Sequence, residues 1–442
     1  MNGGGQTASA GSPGRLGALQ LASYGFLTMP LAMAGLALLT YLPTFFAIDM
    51  GLGLGLVGGL FAAGRLLDIV TDPLIGHLSD RTRGPHGPRR PWMVAGLAGF
   101  VVACWLLFVP PQGVGAVYLA AIGCAYFIFA TMLDVPYSAT GLELSPDPEE
   151  RSRLAGSKAA FQVAGAILAG AMPLLLGVTA SQSLPTIAAV IACLAAAGLA
   201  LFLIFVPERT RRETQRAGGL AASLASVLRH RRFRHLIAPF FIVQAANAFF
   251  SGLAVLYIEA VIGAPQLVGL FIGLMFVATA LFLPLWLYVA RRCGKIRCWQ
   301  AGIVTSLLAM LAAPLLGEGN IIGACCLFAV VGATFGCDAM MPTSILADIS
   351  GENEAAGGAR QSGLFLAVKN AASKLSFVAP MGIAFPVLGY VDFEHTMGNG
   401  ETGQLVLLAF FAMIPVLLKF AGLMLLRRSP DFSALRATDT AT

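Results

Sequence analysis

Twelve apolar runs, each long enough to cross a bilayer and each followed by a short polar connection, constrain this chain more than anything else in its sequence. They fall at roughly 19–46, 52–79, 92–110, 114–141, 154–178, 184–206, 234–262, 265–289, 298–316, 320–347, 363–390 and 403–427. A helix rising 1.5 Å per residue needs about twenty residues to cross ~30 Å of hydrocarbon. With 57% hydrophobic and 11% charged residues, the 442-residue chain lies outside the range of soluble domains. The expected fold is an all-α membrane protein of twelve transmembrane helices.

The loops give an independent reading of topology. Connections after the second, fourth, sixth, eighth and tenth runs carry Arg81, Arg83, Arg89, Arg90, Arg151, Arg153, Arg291, Arg292, Lys295, Arg297 and Arg360. The alternate connections carry acids such as Asp49 and Glu318 and no Lys or Arg. Basic loops face the cytoplasm, so both termini are expected there. A basic polar stretch divides six runs from six. The expected organisation is a disordered cytoplasmic tail over 1–18, a six-helix bundle over 19–206, a cytoplasmic linker over 207–233, a second bundle over 234–428 and a tail over 429–442. Two such halves with a site between them near mid-membrane is a recurring transporter plan.

The net charge of +6 comes from these loop clusters, and nothing in their pattern suits nucleic acid. The eight cysteines and five histidines show no disulfide framework and no metal-ligand spacing. No nucleophile, base and orienting group occur together, so catalysis has no support in the sequence.

Charged residues inside apolar runs cost ~2.5–3.5 kcal/mol each at mid-membrane and usually mark a pathway. In the second run Arg65, Asp68, Thr71 and Asp72 share one helical face. Asp68, twelve residues before Asp80, lies ~18 Å deep. Two carboxylates and a hydroxyl offer hard oxygen ligands to a small cation, or acceptors for a proton. The alternative is a buried Arg65–Asp68 pair that only fixes helix register, but one Arg cannot neutralise both acids. The fourth run repeats the pattern with Thr131, Asp134, Tyr137 and Ser138, which could add oxygens and an aromatic stacking surface. The eleventh brings Lys369, Asn370 and Lys374, so that acids of the first half face lysine of the second. Lys369 is expected to pair with Asp338 or Asp348 in or beside the tenth run, or to line the cavity. Lys419, two turns before Arg427, is expected to snorkel.

The stretch GRLLDIVTDPLIGHLSDRTRGPHGPRRPWMVAG, from Gly64 to Gly96, resembles the signature of the glycoside-pentoside-hexuronide:cation symporters, the melibiose-permease-like branch of the major facilitator superfamily. TMLDVPYS (Thr131–Ser138), ERSRL with Lys158, PTSILADIS (Pro342–Ser350) and KNAASKL around Lys374 carry the likeness into both halves. The resemblance implies a major facilitator fold of two six-helix bundles and cation-coupled symport by alternating access. It implies cation binding at Asp68, Thr71, Asp72 and Thr131. It implies solute binding at Asp134 with Lys158 and Lys374 beside it, and a gating loop over Asp80, Arg81, Arg89 and Arg90. Two departures bear on the solute. Ala32 stands where the family's sugar-clasping acid would fall, and Lys369 adds a cation near the site, which suits an anionic solute over a neutral sugar.

The functional expectation is a symporter for a small polar solute, sugar-like or an anionic organic solute, coupled to sodium or a proton. It requires no cofactor, resides in a bacterial inner membrane and is compatible with a monomer. Two other readings stand beside it: an exporter or carrier of amphiphiles on the same fold, and a receptor or assembly factor that transports nothing.

Overall fold

The structure is a computed structural model in which residues 16–82, 87–144, 148–207, 226–355, 362–391, 393 and 401–428 are described. The tails expected over 1–18 and 429–442 lie largely outside these residues, as does the linker segment 208–225. Among the described residues there is no strand, and twelve helices are long and apolar enough to span a bilayer. They are α1 (Ala18–Thr40), α2 (Leu54–Ser79), α3 (Arg90–Phe108), α4 (Ala116–Gly141), α5 (Arg153–Leu176), α6 (Ala180–Phe205), α7 (Arg231–Gly252), α8 (Pro265–Cys293), α9 (Lys295–Leu315), α10 (Ile321–Ser350), α11 (Leu364–Tyr390) and α12 (Thr402–Arg428).

Within each half the helices meet where the sequence supplies glycine. Gly165 of α5 packs on the Met29 carbonyl of α1, Gly96 of α3 on the backbone of Met132 and Leu133 of α4, and Gly332 of α10 on Met275 of α8. In lipid, apolar side chains gain nothing by leaving one oil for another, so close backbone approach and dispersion do the joining. A Cβ at any of these glycines would collide with a neighbouring backbone.

The two halves touch unevenly. α2 meets α11 where Gly58 rests on Met381 and Phe385 and Gly55 rests on Gly389, while α5 meets α8 at Gly170 and Gly273. These approaches lie between mid-membrane and the end remote from the chain termini, called here the far end. There one apolar cluster joins residues of both halves, among them Leu42, Phe46, Leu256, Ile272 and Phe385. Towards the terminal end the second half keeps a separate core around Phe233, Trp299, Ile345 and Leu426. Among the described residues, the close backbone approaches between the halves thus concentrate towards the far end.

At the far end both α1 and α7 run on through short helical pieces into a wider π turn, Phe45–Asp49 after α1 and Ile258–Ile262 after α7. The first helix of each half therefore ends in the same way.

One charged pair is sealed inside the second half. Lys419 of α12, 0% exposed, is 2.7 Å from Asp338 Oδ2 of α10, itself 1% exposed. Asn247 Nδ2 and Trp299 Nε1 donate to the same carboxylate at 3.0 and 3.1 Å. The expectation that Lys419 snorkels is therefore wrong. Two turns inside the helix end is too deep to reach water, and Asp338 supplies the charge that makes burial tolerable.

Candidate functional site

Three helices of the first half and one of the second bring the acids and bases of the sequence to a single region near mid-membrane. On α2, Asp68, Thr71 and Asp72 follow one face, and Pro73 removes the N–H that would otherwise bond the Ile69 carbonyl. Thr131 Oγ1 of α4 donates to Asp68 Oδ1 at 2.8 Å, and Thr71 Oγ1 donates to the Asp68 carbonyl at 3.3 Å. Arg65 Nη1 stands 3.5 Å from Asp68 Oδ2, with its guanidinium over the Phe127 ring at 5.5 Å. From the other half, Lys374 Nζ reaches Asp68 Oδ2 at 2.9 Å and Asp72 Oδ2 at 2.6 Å. Two positive groups thus accompany the acid pair, Arg65 on the same helix and Lys374 from the second half, where the sequence led one to expect a lysine facing these acids. Lys374 lies 302 residues after Asp72, where spacing along a helix says nothing of its reach.

Asp72 Oδ1 is buried and has no hydrogen-bond partner. Asp68, Thr71, Asp72 and Thr131 carry oxygens of the hard type that small monovalent cations take. The ammonium of Lys374 sits where such an ion would bridge the two carboxylates.

One turn along α4 a second cluster begins. Ser138 Oγ donates to Asp134 Oδ1 at 3.2 Å, and Lys158 Nζ of α5 donates to Ser138 Oγ at 2.7 Å while standing 3.6 Å from Asp134 Oδ1. The Asp134 side chain is 47% exposed, so this cluster opens to the gap between the halves. Tyr137 does not offer the stacking surface expected of it. It is 0% exposed, bonded to Thr28 and to the Tyr24 carbonyl, and stacked on Tyr24. What it provides is a wall beneath Lys158, whose Nζ lies 4.8 Å from the ring centroid.

A family model described as MFS/sugar transport protein matches residues 23–430. The chain belongs to that family. A stretch of 239 residues is 30% identical to YagG of Escherichia coli (strain K12), named as a candidate glycoside/cation symporter, and covers 51% of each protein. Another of 324 residues is 25% identical to sodium-dependent lysophosphatidylcholine symporter 1 of Homo sapiens, covering 65% of this chain and 59% of that one. The chain spans about half the length of the first of these relatives. The solved nucleoside transporter NupG superposes with a TM-score of 0.67 at 13% identity, over 92% of this chain and 99% of that one, a likeness of fold alone.

The remaining residues singled out in the sequence fall elsewhere. Lys369 pairs with neither acid proposed for it. Asp338 is taken by Lys419, and Asp348 by Lys295, whose Nζ stands 2.6 Å from Asp348 Oδ2. Lys369 Nζ instead lies 5.0 Å above the Phe240 ring of α7. Of the gating loop, Arg90 donates to the Val206 carbonyl at 2.9 Å, Arg89 is buried and Arg81 is exposed, while the Asp80 side chain lies outside the described residues. Gln244 of α7 was missed by the sequence reading. It bridges Ser373 of α11 and Asn247, and its polar place in an apolar helix was the available signal.

Proposed function

We propose that this protein is a cation-coupled symporter for a small anionic or polyhydroxylated solute, seated in a bacterial inner membrane with both termini cytoplasmic and drawn here open towards the cytoplasm. One observation carries the reading: Lys374 of the second half bridges Asp68 and Asp72 of the first. A sodium ion or proton arriving at that acid pair competes with the ammonium for the same oxygens. Once displaced, Lys374 is a free cation in the same mid-membrane region as Lys158, and the field there favours an anion. Binding of the coupling ion thus raises affinity for the solute, and by linkage the solute raises affinity for the ion. The basic loops at the open end support the orientation.

Proteoliposomes test this. Asp68→Asn and Asp72→Asn each abolish accumulation against a gradient driven by sodium or pH while leaving solute exchange measurable. Uphill uptake unchanged in both variants refutes the assignment.

A second reading, a carrier of zwitterionic or anionic amphiphiles, draws on the likeness to the lysophosphatidylcholine symporter. A thermal-shift screen of the purified protein against sugar acids and lysophospholipids, with and without sodium, separates the two, because only a ligand of the folded form raises the melting temperature.

A further inference from the structure

Two acids that the mid-membrane site does not use face one another at the far end. Asp49 sits on the π turn that ends α1, and Glu259 on the matching π turn that follows α7. Such turns recur at functional positions because the widened helix re-aims its side chains. Both residues line a cavity of about 540 Å³ between the halves, together with Tyr41, Thr44, Thr179 and Gln182. Among the described residues lining it there is no Lys, Arg or His. Glu318 is the other acid nearby, exposed on the loop whose Gly319 N–H bonds the Ile262 carbonyl. The Thr44 hydroxyl is buried against this cavity without a hydrogen-bond partner, which marks the space as one for water rather than for an apolar guest.

We propose that Asp49 and Glu259 form a proton-sensitive latch on the far-end gate, closed while Glu259 carries a proton and released when it ionises. In the sealed state Glu259 is half-buried, and the exposed Asp49 of the opposite half lines the same cavity. Burial, and after it Asp49, push it up to about 7. When the halves part at this end, Glu259 gains water and loses Asp49, and returns towards the ordinary carboxylate value near ~4.3. The sealed state therefore binds the proton more tightly. Acid holds the gate shut, and the hold is lost as pH rises through about 7. A group with these two values shifts the ratio of open to sealed about tenfold between pH 6 and pH 8. The latch lies far from the acid pair of α2 and acts whichever ion that pair takes.

The full-length protein in nanodiscs provides the test. Fluorophores on noncanonical residues at Gln112 and Leu315, exposed at the far ends of opposite halves, report their separation by single-molecule energy transfer without involving the native cysteines. The open fraction is expected to rise about tenfold, in ratio, from pH 6 to pH 8. Glu259→Gln should stay sealed and lose this response. Asp49→Asn should lessen the response and make it level off at a lower pH, because without its repelling neighbour Glu259 lies closer to the ordinary carboxylate value in the sealed state. The inference depends on the alternating-access reading only for the existence of an open state. Labels that never separate at any pH overturn that reading, whereas separation whose pH profile survives both Glu259→Gln and Asp49→Asn overturns the latch.

Discussion

Lys374 Nζ lies 2.6 Å from Asp72 Oδ2 across 302 residues of sequence, and its second carboxylate, Asp68, is 2.9 Å away. One ammonium on α11 thus ties down two acids on α2. Lys374→Met leaves those acids one turn apart with only Arg65 nearby. Allowing for the partial exposure of Lys374 and Asp72, the loss of stability should be about 2 kcal/mol. Added sodium, or a lower pH, should restore more of the melting temperature in the variant than in the parent protein. A variant as stable as the parent and indifferent to both would remove Lys374 from the cation site.

The sealed pair in the second half behaves differently. Asp338→Asn or Lys419→Met alone strands a charge among apolar helices, and each should cost ~3–5 kcal/mol. The double replacement removes both charges and should cost much less than the sum. Denaturant or thermal unfolding in detergent measures the non-additivity. Strictly additive losses would mean that the two side chains do not stabilise one another.

Gly58 sits where α2 touches α11 at the far end, against the Met381 carbonyl and the Phe385 side chain. Gly58→Val places a branched side chain where even one carbon collides with backbone, so the halves cannot close there. The Gln112–Leu315 label pair should report an enlarged open fraction at every pH. A distribution identical to that of the parent would show that this crossing yields without opening the gate.

Lys369 is a cation over an aromatic ring with no carboxylate partner among the described residues. Lys369→Gln should weaken binding of an anionic solute by about tenfold, equivalent to ~1.4 kcal/mol, and leave neutral sugars unaffected. Calorimetric titration of both solute classes decides it. Equal losses for neutral and anionic ligands would indicate a change of cavity shape rather than of charge.

The number of spans and the grouping of polar residues on α2 and α4 were legible because both are local properties: length against hydrocarbon thickness, and spacing on one helical face. Pairings across the bundle were not. Lys419 stands at a depth that fits either snorkelling or burial, and only its neighbour Asp338, 81 residues earlier, decides which. Lys369 was offered Asp338 and Asp348 because all three share a depth in the membrane. Helix order around the bundle gave those acids to Lys419 and Lys295 instead. Tyr137 looked open because it lies on the polar stripe of α4, yet α1 covers it through Tyr24 and Thr28. The two π turns left no mark on the hydrophobic pattern, and Glu259 passed unnoticed at the end of an apolar run.

The bridge from α11 to α2 also bears on how tightly an ion can be held. Lys374 is a competitor on a tether, and tethering over so short a reach corresponds to an effective concentration of millimolar or more. On the proposed reading, a coupling cation must outbid a rival that never diffuses away. Weak apparent affinity for the ion is then a property of the connected chain rather than of a poor coordination shell, and it lets the ion leave promptly on the side where it is scarce.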